Sequence, residues 1–124
     1  MRWEGSNMTS RELNCMLIQW VPEIAATYEK EVEWQEGDET GAHIIFGDVL
    51  VPHIIELVEK QDRESIKKIF EFIEHVLLLE DEYAEEVVVL SVIESLYYQM
   101  EDLSAVYLHM KEKTRLCFER LKQG

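Results

Sequence analysis

Positive charge is what this sequence has least of. Lys and Arg number 12 against 26 Asp and Glu, for a formal net charge of −14, and residues 69–110 contain no Lys or Arg at all. Such a surface repels nucleic-acid phosphates, which are held by basic side chains that displace counterions. It also repels anionic lipid headgroups, so neither nucleic acid nor membrane is expected as a partner. Chain breakers are scarce: two prolines and five glycines. With so many Glu, Leu and Ile, that scarcity favours helices. The two cysteines, Cys15 and Cys117, form no Cys-x-x-Cys pair, and two buried thiols in a reducing cytosol are expected. The longest apolar stretches, residues 76–79 and 87–90, are far short of the ~20 residues of a membrane-spanning helix. Residues 1–7 show no apolar run after a basic start, so no secretory signal is expected. The expected location is cytoplasmic.

What is present reads as one ordinary domain. At 124 residues, with 47% hydrophobic and 31% charged residues, the chain can bury a real core without disulfide or metal staples. Residues 1–8 are expected to be a flexible segment and residues 9–124 a single all-helical domain.

Helix signals follow one another along the chain. Thr9 and Glu12 form a capping box, followed by Leu13, Met16, Leu17 and Trp20 at helical spacing. Pro22 suits the first turn of a second helix, with Ile24, Tyr28 and Val32 inward. Gly37 and Gly41 mark a loop. Residues 44–60 are helical in length but hold Gly47 and Pro52, and a kink or break near residues 48–51 is expected. Asp62 caps a helix whose stripe is Ile66, Ile69, Phe70, Ile73 and Leu77, with Phe72, Val76 and Leu79 beside it. Asp81 opens the next helix, with acids in its first turn that suit the helix dipole. The run 87–93 could equally be a buried strand by periodicity. The segment is too long for a typical strand and has no partner run, which favours a helix, expected to be the most buried one. Two shorter helices, around Leu103 to Met110 and around Leu116 to Leu121, complete the chain. The fold class is all-α: six to seven antiparallel helices in a compact bundle. The helix pair within residues 62–98 resembles one unit of a HEAT-type α-solenoid.

Familiar catalytic constellations are missing from the sequence. No His has Glu three residues before it, as di-iron bundles require. There is no His-Glu-x-x-His, no Gly-x-Ser-x-Gly and no phosphate-binding Gly-rich loop. His53 with Glu56, and Glu71 with His75, share helix faces and could each offer two metal ligands, but such spacing arises by chance in a Glu-rich helix, and its ordinary meaning is a surface ion pair. No catalytic residue, metal site or cofactor is assigned, and a non-enzymatic protein is expected, with a metal-dependent helical enzyme as the remoter alternative.

Charge distribution is the more specific signal. The net −14 divides into −17 for residues 1–110 and +3 for residues 111–124. An acidic face steers a basic protein towards it. The candidate docking residues are Glu80, Asp81, Glu82, Glu85 and Glu86, with Trp34 as an exposed aromatic anchor. A second acidic run spans residues 29–39. The expected partner is a basic protein; whether the chain is a monomer or a homodimer stays open, as does a structural or regulatory role for such a dimer.

A resemblance spans most of the chain beyond Thr9. Val21-Pro22-Glu23, Tyr28-Glu29, Trp34, the run from Glu39 to Leu50 and Pro52 carry its first half. Ile69-Phe70, Phe72-Ile73-Glu74, Asp81-Glu82-Tyr83, Ser91-Val92, Glu94 and Leu96 carry the rest. Together they resemble a family of short bacterial helical domains of unknown function, with Ala42 where the pattern has proline. In size, acidity and helical make-up the chain is also similar to the immunity proteins that neutralise bacterial toxins. The resemblance implies structural roles at Gly41, Gly47, Asp48 and Pro52: the glycines to permit unusual backbone, Asp48 to cap the second half of a kinked helix.

Overall fold

Short-range caps set where most helices begin. In the computed structural model, which describes residues 7–34 and 40–123, seven helical segments and no strand are found among the described residues. Helix α1 (Ser10–Trp20) starts on the capping box: Glu12 N–H donates to Thr9 Oγ1 at 3.1 Å, and Thr9 N–H donates to Glu12 Oε1 at 2.9 Å. Helix α2 (residues 22–34) enters through a 3-10 turn with Pro22 in its first position. Helix α3 covers residues 42–60, and α4 is Arg63–Leu78. Helix α5 covers residues 82–99; α6 (Ser104–Tyr107) is one short turn; α7 is Glu112–Gln123.

The break expected near Pro52 does not occur: a widened turn carries the helix through it. Residues Phe46–Leu50 are π-helical, and Val51 N–H donates to Phe46 O, five residues back. Proline has no N–H and its ring crowds the carbonyl four residues earlier. The π register just before Pro52 absorbs both defects, and Val51 stays helical at φ −61° and ψ −48°. Because the helix is unbroken there, Asp48 has no free N–H to cap; no side-chain cap forms at that point and Asp48 is exposed.

The glycines also differ from expectation. Gly41 sits at φ −65°, ψ 146° before α3, ordinary extended backbone. Gly47 lies at a helix crossing, but a Cβ there would meet Ser91 O at 3.8 Å, an ordinary contact, so the crossing does not require glycine. Ser91 belongs to a second π segment, Val87–Ile93 in α5, and the two π segments pack on each other. Ala42 keeps an N–H that proline lacks, and it donates to Ser10 Oγ at 2.9 Å.

Left-handed backbone falls instead on Gln61 (φ 59°) and Glu80 (φ 55°). Gln61 ends α3 in a Schellman arrangement, with Gln61 N–H to Val58 O and Asp62 N–H to Leu57 O, both 3.0 Å. A side chain there is strained where glycine is not. Gln61→Gly is therefore expected to raise stability by about 0.5–1 kcal/mol, read as a higher urea midpoint at unchanged slope. An unchanged or lower midpoint contradicts this.

One contiguous core joins the helices. Helix α4 buries Ile66, Ile69, Phe70, Phe72, Ile73, Val76 and Leu77, the expected stripes except for exposed Leu79. Phe72 lies 5.7 Å from Trp20 and 6.2 Å from Phe46, ring to ring. Helix α5 is less enclosed than expected, with Leu90 at 45% exposure; the π register rotates residues away from their α-helical positions. Met8 packs against the core and donates its N–H to Asp81 at 2.8 Å; the rest of the segment expected to be flexible, apart from residue 7, lies outside the described residues. No helix among the described residues is long and apolar enough to cross a membrane.

Candidate functional site

The first surface to consider is the acidic row nominated by the sequence. Glu80 stands in the left-handed link between α4 and α5, and Glu82 and Glu85 lie on the first turns of α5. All three are exposed and share one wall of a cleft of about 480 Å³. Lys113 and Arg120 of α7 stand on the same cleft, with Leu77 and Leu116. Glu86 turns elsewhere, 3.7 Å from His43 Nε2. Asp81 does not belong to a docking face: it is 5% exposed, and its carboxylate accepts Ala84 N–H at 2.9 Å and Met8 N–H at 2.8 Å. The helix dipole and two backbone donors explain its burial. Trp34, 79% exposed, lies on α2 and lines none of these walls. Of the acidic run 29–39, residues 35–39 lie outside the described residues.

A second acidic cleft was not visible in the sequence. Helices α2 and α3 enclose about 600 Å³ lined by Glu23 and Thr27 on one side and by Asp48, Pro52, His53, Glu56 and Glu59 on the other. Its lining holds four carboxylates and no Lys or Arg. His53, mostly buried, has Nε2 3.3 Å from Glu23 Oε2 and Nδ1 3.9 Å from Glu56 Oε1. Among the described residues, Glu56 alone of the four has a Lys or Arg within ion-pair distance, Lys60 Nζ at 3.6 Å one turn along its own helix. Pro52 and the π turn before it shape this wall, and Asp48 projects from that turn. Thus Asp48 and Pro52, assigned structural roles from sequence, line the cleft. Glu23 and Glu59 lie outside both acidic runs, so only a prediction of α2–α3 pairing could have brought them together.

A polar clasp ties α1, α3 and α5. His43 Nδ1 and Ser91 Oγ are 2.7 Å apart, Ser10 Oγ and Tyr83 Oη 2.6 Å, and the His43 ring stands edge-on to Tyr83 at 5.8 Å. Asn14, buried nearby, donates to Thr40 O at 3.1 Å, and its Oδ1 lacks a partner. Ser91, His43 and Glu86 share the residue types of a nucleophile triad. Ser91 sits within the π segment of α5, where the backbone N–H groups are engaged in the helix itself. The two His–Glu pairs singled out in the sequence fare differently: His53 has Nδ1 3.9 Å from Glu56 Oε1, whereas His75 lies 5.2 Å from the Trp20 ring. No group of three His, Cys, Asp or Glu side chains arranged to hold a metal is found among the described residues.

The thiols correct another expectation. Both cysteines are free, Cys15 exposed and Cys117 half-buried. Cys15 lies two residues from both Leu13 and Leu17, hence on the opposite face of α1 from the core. Burial, then Glu85, push the Cys117 thiol above its usual range. Since the thiolate is the reactive form, Cys15 is expected to react with a disulfide reagent at least several-fold faster than Cys117 at neutral pH. Single-cysteine variants separate the two rates; a faster Cys117 would overturn the assignment.

Residues 15–124 match the family described as domain of unknown function (DUF7674). No curated protein and no solved structure gives a significant match.

Proposed function

We propose that this chain, which belongs to the domain of unknown function family DUF7674, is a non-enzymatic binding domain that docks a basic protein through the acidic cleft between α2 and α3. The observation that carries the reading is the lining of that cleft: Glu23, Asp48, Glu56 and Glu59 around His53, without a single Lys or Arg. Carboxylates drawn from two helices into one concave surface concentrate negative potential and speed the arrival of a cationic partner. The row Glu80, Glu82 and Glu85 is the weaker candidate, because Lys113 and Arg120 share its cleft and oppose its field. Trp34 offers an exposed anchor on α2, the same helix that supplies Glu23. In its narrower form the proposal is immunity-like, with a basic toxin as the partner; size, acidity and helical make-up support that form by analogy. A cytoplasmic setting goes with it, supported by the exposed free thiol of Cys15.

The test is affinity capture at low salt with the native chain and with a triple variant, Glu23→Gln, Asp48→Asn and Glu59→Gln. All three side chains are exposed, so folding should survive. A basic partner held by the native chain, released by moderate salt and bound at least about tenfold more weakly by the triple variant fits the proposal. A partner held equally by both, or indifferent to salt, contradicts it.

A further inference from the structure

Cations are few on this chain, 12 Lys and Arg against 26 Asp and Glu, and three of them gather on one cleft. A cleft of about 640 Å³ opens where α4, the segment after α6 and α7 meet, and Lys67, Lys111 and Arg115 line it. Among the described residues none of the three has a carboxylate within the 4.0 Å of an ion pair. Arg115 is held in place without one. Its guanidinium lies 4.7 Å over the Tyr107 ring, Nη2 donates to Tyr107 O at 3.3 Å and Leu108 O at 3.4 Å, and the buried Nε has no partner.

Two carboxylates share this lining and offset it only in part. Glu119 accepts from the Tyr107 hydroxyl at 2.9 Å and also pairs with Lys122 at 3.7 Å, and Glu112 is exposed, so three cations face two carboxylates, one of them shared with Lys122. His109 also lines the cleft. Burial holds its titration below the usual histidine range, and the charges of Arg63 and Lys67 push it further down. Apolar surface flanks the charges: Leu108 is 61% and Leu116 55% exposed on the same lining.

We propose that this cleft is a second docking site, for an acidic peptide segment that carries apolar side chains. Such a segment is the occupant that uses the whole surface. Its carboxylates meet Lys67, Lys111 and the preset Arg115, while its apolar side chains cover Leu108 and Leu116. A small anion would leave both leucines in water. The site is separate from the α2–α3 cleft and stands whether or not a basic partner is found there; with both occupied, the domain joins a basic protein to an acidic one.

The probe is a synthetic peptide of alternating Glu and Leu, titrated into the full chain by isothermal calorimetry and by the NMR signal of His109. Comparison probes are the same peptide with Gln for Glu, the same with Ser for Leu, and inorganic phosphate. The Glu-Leu peptide is expected to bind about tenfold or more tighter than each comparison probe and to move the His109 titration to higher pH. Lys67→Glu with Lys111→Glu, both exposed and unpaired, should weaken it about tenfold or more at an unchanged melting temperature. Leu108→Ser, a second variant at an exposed site, should weaken it by a smaller factor. Three results would overturn the proposal. One is binding that these variants leave unchanged, or no binding. Another is phosphate or the Ser-containing peptide matching the Glu-Leu peptide, which means a plain anion site. The last is a peptide-free dimer in light scattering that the double Lys variant dissolves, which means that a second copy is the occupant.

Discussion

Replacing Asp81 by Ala is expected to lower the unfolding free energy by about 3 kcal/mol and the melting temperature by roughly 10 °C for a domain of this size. The carboxylate does two jobs at once. Its Oδ2 caps α5 by accepting Ala84 N–H at 2.9 Å, and its Oδ1 accepts Met8 N–H at 2.8 Å from the segment leading into α1. Loss of a cap alone costs about 1 kcal/mol. The second bond is charge-assisted and spans 73 positions of the chain, so its loss also releases Met8 from the core. At 5% exposure, water replaces the missing acceptor poorly. Asp81→Asn keeps one good acceptor and loses the charge, and should fall between Ala and the native residue. Chemical denaturation with linear extrapolation reads the difference; a loss below about 1 kcal/mol would mean that Asp81 acts only as a local cap.

Glu74→Ala is expected to cost about 2 kcal/mol, by the same logic applied across two helices. Helix α7 begins after Lys111, which has no acceptor to cap it. The acceptor comes from α4 instead. Glu74 Oε2 takes Lys113 N–H at 2.9 Å, and Oε1 takes Thr114 N–H at 3.0 Å and the Thr114 hydroxyl at 2.8 Å. Thr114 is fully buried, so the substitution strands a hydroxyl and two N–H groups at the positive end of a helix. Faster amide exchange at residues 113 and 114 should accompany the loss of stability. Glu74→Gln, which still accepts but carries no charge, should cost about half as much. Equal losses for Ala and Gln would assign the effect to charge rather than to hydrogen bonding.

These residues mark how far the sequence is legible. Glu74 was part of the acidic stretch and of the family resemblance, and nothing around it in sequence points to α7. Asp81 was legible as a cap, because its target N–H lies three residues away, but its bond to Met8 was not. The same split runs through the site. Glu80, Glu82 and Glu85 were nominated together and do share a cleft, whereas Lys113 and Arg120 entered it from a segment read separately. Glu23 entered only through the family resemblance and Glu59 attracted no notice, because each is one acid among many until α2 and α3 pack. Trp34 was expected to be exposed and is. The glycines drew attention away from Gln61 and Glu80, since the usual sign of left-handed backbone is glycine and here the turn is held by the bonds around it.

What the sequence determined by itself is therefore local or periodic: an all-helical chain, its caps at Thr9, Asp62 and Asp81, the buried stripe of α4, and an overall surplus of acid. Hydrogen bonds three residues long and apolar repeats of a helical turn are written in consecutive residues. The tertiary structure alone decided which carboxylates gather on one cleft, which cations gather on another, and how Pro52 is carried within an unbroken helix. Electrostatic fields add up through space and not along the chain, so where this acidic protein is most acidic, and where it is basic, is settled only once its helices are packed.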